Sequence, residues 1–93
     1  MKVCLIEDNN ILSKSIKKKF EKNNIECTIY SSIQSFNYIE CDVYIFDIML
    51  EEKSYELIKE IRDKTDKPIL VYTSYSHIEY LKITYENGAD LFI

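Results

Sequence analysis

The stretch DVYIFD, residues 42–47, decides the fold of this chain, because an almost unbroken apolar run there ends in a carboxylate. Such a run is typical of a parallel strand that is covered on both faces. The stretch VCLIED, residues 3–8, has the same form and ends in two acidic residues. If both stretches are parallel strands of one sheet, Glu7, Asp8 and Asp47 emerge at its carboxyl edge, where open α/β sheets bind ligands.

Carboxylates brought together at one edge repel one another unless they are protonated or neutralised by a cation. Mg²⁺ is the natural partner, because it is a hard cation that prefers oxygen ligands. The spacing alone therefore predicts a metal site. The alternative is that these carboxylates only cap helices at strand ends, which accounts for Asp8 but not for Asp47.

Short apolar runs alternate with helix-period segments, which predicts βαβ units and an α/β fold, a doubly wound parallel sheet of five strands in the order 2-1-3-4-5. Right-handed crossovers then leave the first helix alone on one face of the sheet, and a fifth helix is missing. Either the chain, 1–93, is a domain cut short before its final helix, or a partner or swapped element covers that face. The predicted strands are 2–6, 26–30, 42–46, 69–73 and 91–93, and the predicted helices are 10–23, a short one around 33–39, 55–63 and one that begins near 76.

The apolar residues at helical spacing give each predicted helix an inward face. One of residues 8–10 caps the first helix, and residues 23–24 suit the turn at its end. Gly88 stands where the end of the fourth helix requires a left-handed backbone conformation. The predicted inward residues are Leu12, Ile16 and Phe20 in the first helix, Ile33, Phe36 and Ile39 in the second, Leu57, Ile58 and Ile61 in the third, and Ile78, Leu81 and Tyr85 in the fourth.

The composition is that of an ordinary soluble globular protein, with 93 residues of which 46% are hydrophobic and 30% are charged. The net charge of −4 argues against broad affinity for nucleic acids or membranes. No apolar stretch approaches the ~20 residues of a membrane span, and no signal peptide is visible. The 3 cysteines lie in or beside apolar runs, so we expect buried, reduced thiols in a cytoplasmic protein.

Four segments, in order and on the expected elements, resemble the receiver domain of two-component response regulators. The resemblance implies a flavodoxin-like fold and a phosphoacceptor function, in which a sensor histidine kinase transfers a phosphoryl group to the domain. It implies a self-phosphorylating signalling domain and not a conventional enzyme. The segments are 3–9, 42–50 (DVYIFDIML), 68–74 (PILVYTS) and 88–93 (GADLFI).

The resemblance also implies the roles of the residues at the acidic edge. Asp47 would be the phosphoacceptor and a metal ligand at once. Asp8 would bind Mg²⁺ directly and Glu7 through water, and the backbone carbonyl of Met49 would be the remaining protein ligand.

The resemblance further implies a switch that responds to phosphorylation. Thr73 would turn its hydroxyl to the phosphoryl group, and Phe92 would be the aromatic residue coupled to it. The spacing alone is equally consistent with ordinary structural roles, in which Thr73 is a threonine at the sheet edge and Phe92 an aromatic residue of the core. The implied partners are the kinase, a second copy bound through the fourth helix and fifth strand, and DNA only through an output domain outside this chain, as in transcription regulation.

Three departures from the family pattern leave other functions open. The lysine expected two residues beyond Ile93 is outside the chain, Glu51 replaces a usual proline, and Tyr55 replaces a usual glycine. These departures favour a pseudo-receiver, which would act as a protein-interaction module without phosphorylation. A small metal-dependent phosphoryl-transfer or nuclease enzyme would use the same carboxylates but would require an acidic residue at position 49, which is methionine.

Overall fold

The computed structural model describes residues 1–47, 52–72 and 78–92, and within these ranges the side chains of 47, 52–53, 78–81 and 92 are not described. Five strands form one parallel sheet in the order β2-β1-β3-β4-β5, which confirms the predicted α/β topology. The elements are β1 (Lys2–Glu7), α1 (Asn10–Lys22), β2 (Glu26–Tyr30), β3 (Val43–Asp47), α2 (Glu52–Lys64), β4 (Ile69–Tyr72), α3 (Ile78–Glu86) and β5 (Leu91–Phe92).

The connection between β2 and β3 contains turns, so the helix predicted around residues 33–39 is wrong. Two serines account for the difference. The backbone N–H of Ser32 donates to Oγ of Ser35 at 3.2 Å, and that of Ser35 donates to Oγ of Ser32 at 3.1 Å. Such side-chain bonds compete with helical hydrogen bonds for the backbone. The apolar residues of the segment still pack against the core, as the residues Ile33, Phe36, Tyr38 and Ile39 show.

The main core lies between the sheet and α2. Here the predicted inward face is confirmed, since Leu57, Ile58 and Ile61 are buried. They pack with alternate residues of the strands, as the period of two requires. The strand residues of this core are Cys4, Ile6, Tyr44, Phe46, Ile69 and Val71.

The predicted inward face of α1 is confirmed at Ile16 and Phe20 but is wrong at Leu12. Ser13 is the buried residue of this helix, whereas Leu12, predicted to point inward, is 39% exposed. Ile16 and Phe20 are partly buried, as expected for residues three and seven positions after Ser13. The buried residue is thus a small polar one, which a count of apolar residues does not detect.

The predicted inward face of α3 is also wrong at Tyr85, which is 40% exposed, because the neighbouring Thr84 is the buried residue. The side chains of Ile78 and Leu81, the other predicted inward residues of this helix, lie outside the described part of the structure.

Both predicted ends of α1 and the predicted C-terminal end of α3 are confirmed, whereas the predicted start of that last helix near 76 lies outside the described residues. The side-chain oxygen of Asn9 accepts the N–H groups of Ile11 and Leu12 at 3.1 and 3.0 Å, so Asn9 caps α1. Asn24 follows α1 with a positive φ of 61°, and Gly88 follows α3 with a φ of 114°. Both helices therefore end in the backbone conformation that the sequence predicts.

The side chain of Arg62 ties α2 to the segment that leads into β5. Its Nε donates to the carbonyl of Gly88 at 2.8 Å, and its Nη2 donates to the carboxylate of Asp90. The same carboxylate accepts the N–H of Ile69, the first residue of β4, at 2.8 Å. One ion pair thus fixes the positions of three elements.

The three cysteines are free thiols and buried, as the sequence predicts. None of the helices in the described ranges is long and apolar enough to cross a membrane.

Candidate functional site

Three strand ends meet in one row at the carboxyl edge of the sheet. Glu7 at the end of β1 pairs with Asp47 at the end of β3, and Asp47 pairs with Tyr72 at the end of β4. The predicted juxtaposition of Glu7 and Asp47 is therefore confirmed at the level of the backbone. Tyr72 was not among the residues that the sequence predicts at this edge.

Glu7 is a buried carboxylate that accepts hydrogen bonds at both of its oxygens. It is 1% exposed, its Oε1 accepts the N–H of Asn9 at 2.9 Å, and its Oε2 accepts the hydroxyl of Tyr72 at 3.0 Å. A buried carboxylate is costly unless it is hydrogen-bonded or paired with a cation. These bonds offset part of that cost.

Asp8 has a different environment from its neighbour. It lies in the turn between β1 and α1 and is exposed. The residues after it cap the helix through Asn9, so capping does not employ Asp8. Its carboxylate is accessible to an ion that approaches from solvent.

The other predicted site residues are placed only in part. The structure describes the backbone of Asp47 in β3 and of Phe92 in β5, where Phe92 pairs with Val71. Their side chains lie outside the described part of the structure, as do Met49 and Thr73 altogether. The predicted metal-binding carbonyl and the predicted switch hydroxyl thus stay predictions.

The donors at this edge fit a hard cation, because Glu7 and Asp8 supply carboxylate oxygens beside the backbone of Asp47. Among the described side chains, which do not include that of Asp47, no three His, Cys, Asp or Glu residues come together as a metal site. The predicted Mg²⁺ site therefore requires ligands from Asp47 and the segment that follows it.

The hydroxyl of Tyr72 is the feature of this edge that the sequence analysis missed. A signal for it does exist, because Tyr72 immediately precedes the predicted switch residue Thr73 at the end of a strand. Its partner could not be read from the sequence, since Glu7 lies on a strand that does not pair with β4.

The comparisons with known proteins agree with this architecture. The BeF3-activated receiver domain of RstA from Klebsiella pneumoniae superposes with a TM-score of 0.87 at 20% identity, over 100% of this chain and 84% of that one. The chain has the receiver-domain fold. A two-component response regulator from Clostridium difficile gives a TM-score of 0.89 at 18% identity, over 100% of this chain and 81% of that one. A CheY-like receiver domain protein from Methanospirillum hungatei gives 0.87 at 19% identity, over 99% and 78%.

No family model matches the sequence, and no curated protein matches it either. The receiver-domain fold is thus established by structure at low sequence identity. The four segments that resemble receiver domains in the sequence predicted this fold correctly.

Proposed function

We propose that this chain is a phosphoacceptor domain of a two-component system, which receives a phosphoryl group from a histidine kinase on Asp47 with Mg²⁺ as cofactor. One observation carries the proposal. The buried, hydrogen-bonded carboxylate of Glu7 lies in register with Asp47 at the carboxyl edge of a sheet with the receiver-domain fold.

The proposed reaction is a phosphoryl transfer between a histidine and an aspartate. A carboxylate oxygen of Asp47 forms a bond with phosphorus, and the bond from phosphorus to the imidazole nitrogen of the donor breaks. The product is an acyl phosphate on this chain. In this mechanism the domain phosphorylates itself and acts as a signalling protein, not as a conventional enzyme.

In this mechanism the chain's own residues place negatively charged and carbonyl oxygens around the cation. Glu7, Asp8, Asp47 and the carbonyl of Met49 would hold the cation. When bound, Mg²⁺ supplies the neutralisation that allows an anionic phosphoryl group to approach these carboxylates. Because Glu7 is buried and fixed by hydrogen bonds at both of its oxygens, little reorganisation of this side chain is required when the cation arrives.

The proposal includes a switch that passes the signal to a partner. Thr73 follows the last residue of β4, and Phe92 lies on β5, which pairs with β4. A change at the end of β4 can therefore reach β5 directly and α3 through β5, since β5 contacts both elements. We assign the kinase, an output domain and a second copy of the chain as partners of this switch, in the cytoplasm.

Labelling with a small phosphodonor tests the proposal. The protein is incubated with Mg²⁺ and acetyl phosphate, and its mass is measured before and after treatment with hydroxylamine, which cleaves acyl phosphates. We expect one hydroxylamine-sensitive phosphoryl group, which is lost with EDTA and in Asp47→Asn. Asp42→Asn is the matched control, because Asp42 lies just before the other end of β3, where it accepts the N–H of Lys2.

Two results would contradict the proposal. Equal labelling of Asp47→Asn would exclude Asp47 as the acceptor. Absence of both the label and any saturable Mg²⁺ binding would instead support a phosphorylation-independent interaction module, the pseudo-receiver alternative.

A further inference from the structure

The hydroxyl of Tyr72 joins two strands that are not neighbours in the sheet. We propose that Tyr72 is a positioning residue, which holds the carboxylate of Glu7 in the orientation that the divalent cation requires and thereby links the metal site to β4. This inference deepens the proposed function and depends on the Mg²⁺ site described there.

The bond between these side chains spans a third strand. β3 lies between β1 and β4, so the two outer backbones are about 10 Å apart at the usual strand spacing. Tyr72 and Glu7 close this gap with a hydrogen bond of 3.0 Å. Both residues pair with Asp47, so the bond crosses β3 in the row of the proposed phosphoacceptor.

The side of the sheet on which this bond lies follows from the period of two. Leu5 and Leu70 precede Glu7 and Tyr72 by two residues, and they line a cavity of about 320 Å³ together with Ile16 of α1. Tyr72 lines the same cavity. The hydrogen bond therefore lies on the face of the sheet that carries α1, where the cavity provides the room that the tyrosine ring needs.

Hydrogen bonds at both oxygens of Glu7 fix its carboxylate from two directions. Oε1 is held by the backbone of Asn9 in the turn after β1, and Oε2 is held by Tyr72 at the end of β4. A glutamate side chain otherwise loses considerable rotamer entropy when a ligand fixes it. Partners of this kind orient ligand groups, and their removal typically lowers metal affinity by about 10–100-fold.

The position of Tyr72 in the chain gives this bond a second consequence. Tyr72 is the last residue of β4 and directly precedes Thr73, the proposed switch residue. A cation that binds the Glu7 carboxylate changes the charge on the oxygen that accepts the hydrogen bond from the Tyr72 hydroxyl. Metal binding is thus communicated to the start of the switch segment before any phosphoryl group arrives.

Calorimetric titration with Mg²⁺ tests the inference. We expect Tyr72→Phe to raise the Kd for Mg²⁺ at least tenfold, because the ring remains while the hydroxyl is lost. The double variant Glu7→Gln with Tyr72→Phe should bind Mg²⁺ no more weakly than Glu7→Gln alone, since Tyr72 acts through Glu7. If Tyr72 only supported the fold, Tyr72→Phe would weaken Mg²⁺ binding equally in the wild type and in Glu7→Gln.

Tyr44→Phe is the matched control. The Tyr44 hydroxyl donates to the carbonyl of Ile39 at 2.6 Å and accepts the N–H of Cys41 at 3.0 Å, near the opposite end of the sheet. We expect this variant to melt at a lower temperature than the wild type and to bind Mg²⁺ with unchanged Kd. It therefore separates a loss of stability from a loss of positioning.

The wild-type protein gives an independent measurement. The chain has 8 tyrosines and 0 tryptophans, so a near-ultraviolet difference spectrum on Mg²⁺ addition reports on tyrosine environments. We expect a tyrosine difference spectrum that saturates with the calorimetric Kd and is absent in Tyr72→Phe.

The outcomes distinguish this inference from the function on which it depends. If the wild type binds Mg²⁺ and Tyr72→Phe binds it equally well, the positioning role is wrong and the proposed function stands. Mg²⁺ binding by the wild type without a tyrosine difference spectrum overturns the link to β4. If the wild type does not bind Mg²⁺ at all, the metal site and the inference both fail.

Discussion

Gly88 is a position where backbone conformation and a neighbouring side chain both exclude a larger residue. Its φ of 114° is strained for residues with a Cβ atom, and a Cβ built there would lie 2.7 Å from Cγ of Arg62. Arg62 cannot move aside without loss, because its guanidinium group binds the Gly88 carbonyl and the Asp90 carboxylate. The single glycine of the chain is therefore required by local geometry.

We expect Gly88→Ala to lower the free energy of unfolding by roughly 1–3 kcal/mol, the usual cost of a strained backbone, with the Arg62 contact placing it at the upper end. Asn24→Ala is the control, because Asn24 also has a positive φ, of 61°, and is exposed. It should cost about 1 kcal/mol. Urea denaturation measures both values, and equal losses would show that the Arg62 contact does not matter.

The meeting of Glu7 and Asp47 at one edge of the sheet was predictable at this scale, and the hydrogen bonds of Glu7 were not. Glu7 and Asp47 each end an apolar run, and parallel strands bring their ends to one edge whatever the details of packing. The bond from Tyr72 to Glu7 depends on the register of three strands and on two side-chain rotamers. Neither quantity can be read from a local stretch of sequence.

Among the helices, the apolar pattern predicted the whole inward face of α2, but it failed at Leu12 of α1 and at Tyr85 of α3. In α2 the buried residues Leu57, Ile58 and Ile61 are all large and apolar. In α1 and in the described part of α3, the buried residue is a small polar one, Ser13 or Thr84. The hydrophobicity of the sequence alone cannot identify a buried position that is occupied by a small polar residue.

We expect Thr84→Val to raise the free energy of unfolding by up to about 1 kcal/mol. The Thr84 hydroxyl is buried and has no hydrogen-bond partner within the described part of the structure, so its removal relieves a desolvation cost at nearly constant volume. Ser13→Ala is the control, because the Ser13 hydroxyl donates to the Asn10 carbonyl at 3.2 Å and its loss should not stabilise the protein. A lower melting temperature for Thr84→Val would contradict this interpretation.

For the whole molecule, burial changes the proton affinity of several side chains. Burial, with a smaller contribution from the neighbouring Cys41, raises the pKa of the Cys4 thiol from 9.0 to about 12. Burial likewise raises the pKa values of Cys27, Cys41 and Tyr44. The folded protein therefore keeps protons that the unfolded chain releases in alkaline solution.

The sign of the resulting pH dependence follows directly. Below pH 9.0, the ordinary value for a cysteine thiol, both states hold the thiol protons and stability is complete. Between this value and the folded-state pKa of about 12, the unfolded chain binds fewer protons, so stability falls as pH rises. Each fully shifted group contributes a slope of at most about 1.4 kcal/mol per pH unit.

Denaturant titrations between neutral and alkaline pH measure this dependence. We expect the contribution of the cysteines to the free energy of unfolding to stay nearly constant up to pH 9.0 and to decrease above it. Cys4→Ala should show a shallower decrease, because it removes the thiol whose pKa burial raises to about 12. An alkaline slope that is the same in both proteins would rule out Cys4 as a contributor.

The topology of the whole sheet was predictable because it depends on features that repeat along the chain. The alternation of strands and helices and the right-handed crossover rule together permit few arrangements, and the order β2-β1-β3-β4-β5 is one of them. The missing helix between β2 and β3 was not predictable from the spacing of Ile33, Phe36 and Ile39. Their periodicity suits a helix, but the neighbouring serines satisfy the backbone in another way.

The helix-free connection between β2 and β3 has a consequence for the order in which the molecule assembles. Tyrosines from the flanking strands hold it, since Tyr30 donates to the Asn37 carbonyl and Tyr44 to the Ile39 carbonyl. A helix can nucleate from local contacts alone, but these bonds tie the segment to β2 and β3, which are brought together only when both pair with β1. We infer that the crossover is a late product of folding, which closes over the core only after β1, β2 and β3 have come together.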